Sequence, residues 1–176
     1  MKYSAFLRAI NVLGYNRIKM DLLRDILSDY GIKDVSTYLQ SGNVVFKSEN
    51  HKKEVLESQL ETLLYKKLGF EISVFVKSKK EIATLLVNNP FLDKDHEEQF
   101  LHATFFKGKK SGIDIEAIDK IKMENEEFKI LGSCVYLYCP NGYGRTKLNN
   151  ANWEKWSKCK CTTRNWNTIK AIDRLM

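Results

Sequence analysis

The sequence predicts an α+β protein made of two tandem ferredoxin-like (α/β-plait, βαββαβ) halves packed together. Three observations predict it. Apolar residues alternate between a period of two and a period of three to four along the chain, the mark of strands interleaved with amphipathic helices. The inferred elements of residues 1–78 run β-α-β-β-α-β, the split βαβ plan. The same order restarts near residue 100, in a chain of 176 residues whose 43% hydrophobic content suffices for a buried core.

Element by element, Tyr3–Arg8 alternates and reads as a strand, followed by a polar loop over Ile10–Lys19. Met20–Tyr30 sets Met20, Leu23, Ile26, Leu27 and Tyr30 at helical spacing, with Gly31 to stop it. Asp34–Gln40 and Val44–Lys47 are β-branched and aromatic, and Ser41-Gly42-Asn43 between them reads as a hairpin turn. His51–Leu68 is an amphipathic helix ending at Gly69, and Glu71–Val76 a strand. Lys79–Val87 reads as a linking helix before Asn88-Asn89-Pro90, and Asp93–Glu98 as a charged surface loop. In the second half Leu101–Phe106 is a strand, Gly108–Gly112 a basic turn and Ile113–Ile121 a helix. Glu127–Leu131 and Cys134–Cys139 are strands around Gly132-Ser133; Asn149–Lys158 is a helix, Lys160–Thr163 a short strand, and a last helix runs to Met176. The halves are thus 1–78 and 100–176, joined by 79–99. A half of roughly 80 residues buries too little of its surface to be more than marginal alone, so the two are expected to pack together. They share element order but no residue-level repeat.

Composition narrows the function. Met1–Ile10 has no signal-peptide pattern, and no run approaches the roughly 18 apolar residues of a membrane span, so a cytoplasmic protein with no membrane partner is expected. Cys134, Cys139, Cys159 and Cys161 lack a Cys-x-x-Cys spacing, and a cytosol keeps them reduced; no metal site is expected. His51, His96 and His102 are scattered, and Asp93, Asp95, Glu97 and Glu98 read as a solvated loop. No Ser-His-Asp set, nucleophilic cysteine context or paired-carboxylate site stands out, which leaves catalytic residues, cofactor and oligomeric state unassigned. The net charge is +7, but residues 1–20 and 140–176 together carry +10. Basic ends on a neutral body point to an anionic partner, or simply to a solvated basic surface.

Four segments are too polar and too rich in Gly and Asn for core: Asn11–Lys19, Gln40–Asn43, Pro140–Lys147 and Thr162–Thr168. In a split βαβ unit the two strands run the same way and end at one edge, which sets Asn11–Lys19 beside Gln40–Asn43. The same logic sets Pro140–Lys147 beside Thr162–Asn167. Candidate ligand-binding residues follow. Arg8, Arg17, Lys19, Arg145, Lys147 and Arg164 would hold anionic oxygens, while Asn11, Asn16, Gln40, Asn43, Asn141 and Asn165 would orient the ligand. Gly142 and Gly144 let a strand-to-helix turn expose amides as an anion nest. A Rossmann fingerprint would need a third glycine where Lys147 stands and a parallel sheet, and is rejected. Against each functional reading stands a plain one: turns at Ser41-Gly42-Asn43 and Pro140-Asn141-Gly142, capping by Thr163 or Asn165, and core packing by Trp166.

Arg8–Met20 (RAINVLGYNRIKM), Tyr38–Phe46 (YLQSGNVVF), Asn89-Pro90-Phe91, Val135–Leu148 (VYLYCPNGYGRTKL) and Thr162–Thr168 together resemble the family catalogued as domain of unknown function 1697. The resemblance implies two ferredoxin-like domains in tandem and no assigned activity. The family's first loop usually reads Gly-Gly-Lys-Asn. Here Leu13-Gly14-Tyr15-Asn16 lacks one turn residue and one cation, with Arg17 and Lys19 close by.

The leading expectation is a module binding a phosphate-bearing small molecule, such as a nucleotide, or nucleic acid. An RNA version needs exposed aromatics on a sheet face, for which Tyr136 and Tyr138 share one side of a strand. The alternatives are an enzyme acting on a phosphorylated small molecule, and a structural or interaction protein whose polar motifs only shape turns and caps.

Overall fold

The computed structural model describes residues 1–12, 14–49, 52–92, 95–108 and 112–176. Parts of four expected features lie outside them: Leu13 of the first loop, His51 at a helix start, Asp93 of the charged loop, and 109–111 of the basic turn. The protein is α+β, with two four-stranded antiparallel sheets and six α-helices among the described residues. No helix among them is long and apolar enough to cross a membrane. All four cysteines are free thiols. The chain divides into two compact units, one of Met1–Leu85 with Lys170–Met176 and one of Leu86–Ile169.

In the first unit the order is β1 (Lys2–Leu7), α1 (Met20–Asp29), β2 (Lys33–Tyr38), β3 (Asn43–Lys47), α2 (Lys53–Leu68), β4 (Val74–Ser78), α3 (Lys79–Val87). The strands lie in the order β2-β3-β1-β4. Strand alternation sends Tyr3, Ala5 and Leu7 to the same face as Val44, Phe46, Val74 and Val76, and there they meet Leu23, Ile26 and Leu27 of α1 and Leu56, Leu60, Leu63 and Leu64 of α2. The alternate residues Ser4, Phe6, Val45 and Phe75 are buried too, so β1, β3 and β4 bury side chains on both faces, while β2 stays partly exposed. β4 starts three residues later than its composition suggests, because its register on β1 sets Leu7 against Val74 and Tyr3 against Ser78.

After a 3-10 turn at Glu98–Phe100, the second unit continues with β5 (Leu101–Phe106), α4 (Ile115–Asp119), β6 (Glu127–Leu131), β7 (Cys134–Tyr138), α5 (Asn150–Ser157) and β8 (Cys161–Asn165), and α6 (Trp166–Leu175) follows. The strand order is β6-β7-β5-β8. Its core centres on Trp153, fully buried, whose ring stands edge-on to Phe106, Phe128 and Trp156 and whose indole N–H donates to Leu148 C=O at 2.9 Å. α4 is shorter than Ile113–Ile121: Asp114 caps it by accepting the Ala117 N–H at 3.0 Å, and Ile118 is its one buried residue. β8 runs two residues past Thr163, because Asn165 pairs with His102 and its Oδ1 accepts the Asn167 N–H, starting α6 only at Trp166.

Candidate functional site

β1 and β2 both run antiparallel to β3, so they end together, and the loop after β1 meets the β2–β3 turn. The meeting is made by main chain and amides. Leu7 N–H donates to Gly42 C=O at 2.8 Å. Gly42 has φ +75, and a Cβ there would stand 2.6 Å from Ile10 Cδ1 and 2.8 Å from Leu7 Cβ, so only glycine fits. Asn11 pins the loop: its Nδ2 donates to Gln40 C=O (2.7 Å) and Ile18 C=O (3.0 Å), and its Oδ1 accepts the Ile18 N–H (2.8 Å). Asn16 donates to Ala9 C=O at 3.2 Å. Asn43, wholly buried, donates to Tyr38 C=O and Ser41 Oγ. These three asparagines spend their amides on their own chain. Gln40 is exposed at the turn.

The cations behave differently. Arg8 is half-buried, whereas Arg17 and Lys19 are exposed, the Arg17 guanidinium lying against Gly14. Neither Arg17 nor Lys19 has an acidic partner among the described residues. Lys19 precedes α1 and gives it no side-chain cap, and the first intrahelical bond is Leu23 N–H to Lys19 C=O at 3.0 Å. The leading amides of α1 therefore have no side-chain cap, at the positive end of the helix dipole, and Arg17 and Lys19 immediately precede them in the chain. Asp21 in that first turn is taken by Arg24.

The second rim lies at the opposite end of its sheet plan, where β7 and β8 finish and β5 begins. Pro140–Lys147 and Thr162–Asn167 do come together, through Tyr143. Its ring stacks on His102 at 4.8 Å, and its buried hydroxyl turns toward Thr163 and the Asn150 main chain without a well-formed hydrogen bond. Burial pushes that phenol up to about 12. Around it Thr104 and Thr163 share a hydroxyl contact of 2.7 Å, and Thr163 donates to Asn150 Oδ1 at 2.7 Å. Arg164 is half-buried and bonds Thr162 Oγ1 and Thr163 C=O, both at 2.9 Å; burial lowers it to about 10, eased by Tyr143, so it stays charged at neutral pH. Asn165 donates to Gln99 C=O at 2.7 Å.

The glycine turn is not an open nest. Gly142 N–H donates to Cys139 C=O (2.9 Å) and Arg145 N–H to Gly142 C=O (3.1 Å). Asn141 reaches away to Asn125 Oδ1 at 2.8 Å. Gly144, Arg145 and Lys147 are exposed. Beneath the turn, burial, with the Glu126 charge adding, pushes the Cys139 thiol up to about 12 despite a hydrogen bond from Thr146, so it is no thiolate at neutral pH. The stacking platform is also spent: Tyr136 is buried against Trp166, and Tyr138 lies flat under His96 at 3.8 Å.

The family model described as "Protein of unknown function (DUF1697)" matches residues 1–136 of the chain. The chain belongs to the DUF1697 family. Across 99% of its length this DUF1697 protein is similar to the structure of conserved bacterial protein SP0830 from Streptococcus pneumoniae, at TM-score 0.73 and 22% identity, covering 97% of that chain. That likeness is one of fold. Among curated proteins there is no match. The first rim falls entirely inside the DUF1697 segment, whereas the second rim's candidate residues, from Asn141 onward, fall beyond it.

Sequence reasoning missed the polar cluster of His102, Thr104, Tyr143, Asn150 and Thr163. His102 carried no ligand spacing, and only strand register places it against Asn165. It is buried, its Nδ1 lies 3.0 Å from Phe100 C=O, and burial lowers its pKa, holding the ring neutral.

Proposed function

We propose that this protein binds a phosphate-bearing small molecule, a nucleotide in preference to nucleic acid, at the rim of its first unit. The reading rests on one observation: the uncapped amides at the start of α1 directly follow exposed Arg17 and Lys19, which have no acidic partner among the described residues, on a loop fixed by Asn11. Free amides, a helix dipole and two cations are the components of an oxyanion site. The βαββαβ order with strands β2-β3-β1-β4 supports reading each unit as ferredoxin-like, a plan in which this loop and the β2–β3 turn share a rim. The nucleotide is preferred because Tyr136 and Tyr138 are engaged within the second unit.

A structural role suits Asn11, Asn16, Asn43 and Asn165 better than ligand contact, since their amides are bonded to the chain. Arg17 and Lys19 therefore carry the proposal. Calorimetric titration with inorganic phosphate, ATP and single-stranded RNA at about 50 mM salt, where charge-driven binding is strong, tests it. ATP is expected to bind, and Arg17→Ala/Lys19→Ala to weaken it by roughly tenfold or more, with Arg145→Ala as the unaffected control. Absence of ATP binding, or binding indifferent to the double substitution, overturns the reading.

A further inference from the structure

An unpaired sheet edge offers a row of main-chain donors and acceptors to any other strand, and proteins commonly block such edges. Three of the four edges here are blocked. On β4 the outward N–H groups of Val74, Val76 and Ser78 donate to Glu61 (2.8 Å), Glu57 (2.9 Å) and Glu81 (2.9 Å). On β8 the Cys161 N–H donates to Glu154 at 2.9 Å, and the Thr163 C=O accepts from Arg164 at 2.9 Å. β2 is broken by a register shift between Lys33 and Ser36, with Asp34 at φ +53.

β6 has no such device. It pairs with β7 over five residues without a shift, and no described side chain bonds the main chain of Phe128–Leu131. The two-residue turn Gly132-Ser133 makes Leu131 and Cys134 the closing pair, so ladder alternation points the N–H and C=O of Phe128 and Ile130 outward. A cleft of about 350 Å³ follows this edge, with Ile115 and Asp119 of α4 on one side and Phe128 and Ile130 on the other. Ile115 is 51% exposed there.

The geometry points to β6 as a self-pairing edge, through which two copies of this chain join antiparallel about a two-fold axis at Phe128. Charge selects both occupant and register. With Phe128 opposite Phe128 of the second copy, Glu127 of each copy faces Lys129 of the other, twice. A register centred on Lys129 would set two like charges opposite each other, which is destabilising. Lys129 is exposed, and His96 Nε2 holds Glu127 Oε1 at 2.8 Å, fixing the carboxylate's position. The cleft beside the edge sets Ile115, Phe128 and Ile130 among the charged Asp119, Lys122 and Glu126. Only Glu127, Phe128 and Lys129 of each strand overlap in this register, a small interface, so the association is weak and concentration-dependent.

Sedimentation equilibrium of the whole chain from micromolar to millimolar concentration tests this. A monomer–dimer equilibrium is expected. Lys129→Glu, at an exposed position, should weaken the dimer roughly tenfold or more by turning two attractions into repulsions. Glu127→Lys should do the same, and an equimolar mixture of these two variants should recover dimer, because each then presents the complement of the other. A monomer at all concentrations, which would leave the edge to a foreign strand, overturns the inference. So does a dimer that ignores these substitutions.

Discussion

A single Cβ decides the fate of Gly42. Alanine there must both adopt φ +75 and intrude on Ile10 and Leu7, so Gly42→Ala should cost about 2–4 kcal/mol in urea unfolding. Gly142 has φ +88 but no atom within 4 Å of an added Cβ, so Gly142→Ala should lose only about 1–2 kcal/mol. Asn11→Ala removes three hydrogen bonds and should cost roughly 2–3 kcal/mol, read by the same unfolding curves. Two partly or wholly buried titrating groups contribute to the acid limb of stability. His102 is lowered by burial, so the unfolded chain binds its proton first, and the contribution is full above 6.5 and fades as pH falls below that value. Glu81 is pushed up by burial but pulled down further by hydrogen bonds from Lys53 and Ser78, so its contribution is full above 4.5 and is lost below it. Thermal melts from about pH 8 down to about pH 2 should show a decline below each value, and His102→Gln should remove the upper one. The polar residues of the rims were legible as loop residues, yet the carbonyls they serve were not. Asn11 reaches Gln40 across 29 positions, a distance along the chain that no local pattern encodes.

At the level of elements, the helices and strands with strong periodicity were readable, with ends displaced by caps and register. Less visible was how helices finish the sheets. Glu57 and Glu61, four apart on α2, serve Val76 and Val74, two apart on β4. Asn150 and Glu154, four apart on α5, serve Thr163 and Cys161, two apart on β8. The spacing and direction repeat although the residue types differ, which is why comparison of the halves by sequence shows no repeat. Glu57, Glu61 and Glu154 replace water at amides that have no neighbouring strand, whereas Asn150 accepts the Thr163 hydroxyl. Glu57→Ala/Glu61→Ala should lower stability by roughly 2–4 kcal/mol. It should also raise light scattering at the thermal midpoint, because it uncovers the β4 edge. If melting temperature and scattering both stay unchanged, the two contacts are incidental.

For the molecule as a whole, the doubled plan of four strands was legible because element order survives where residues do not. The limits of the units were not. α6 opens with Trp166 in the second unit, while Lys170–Met176 count with the first, where Ile172 and Met176 are buried and Leu175 C=O accepts the Lys2 ammonium at 3.3 Å. Removing 170–176 should therefore sensitise Met1–Leu85 to limited proteolysis, although the cut is distant in sequence. The same closure constrains how the protein is made. The first unit leaves the ribosome early, but its last seven residues arrive only after 84 more have been translated, on the order of ten seconds later. During that interval the nascent first unit lacks Ile172 and Met176, so apolar surface they would bury stays uncovered.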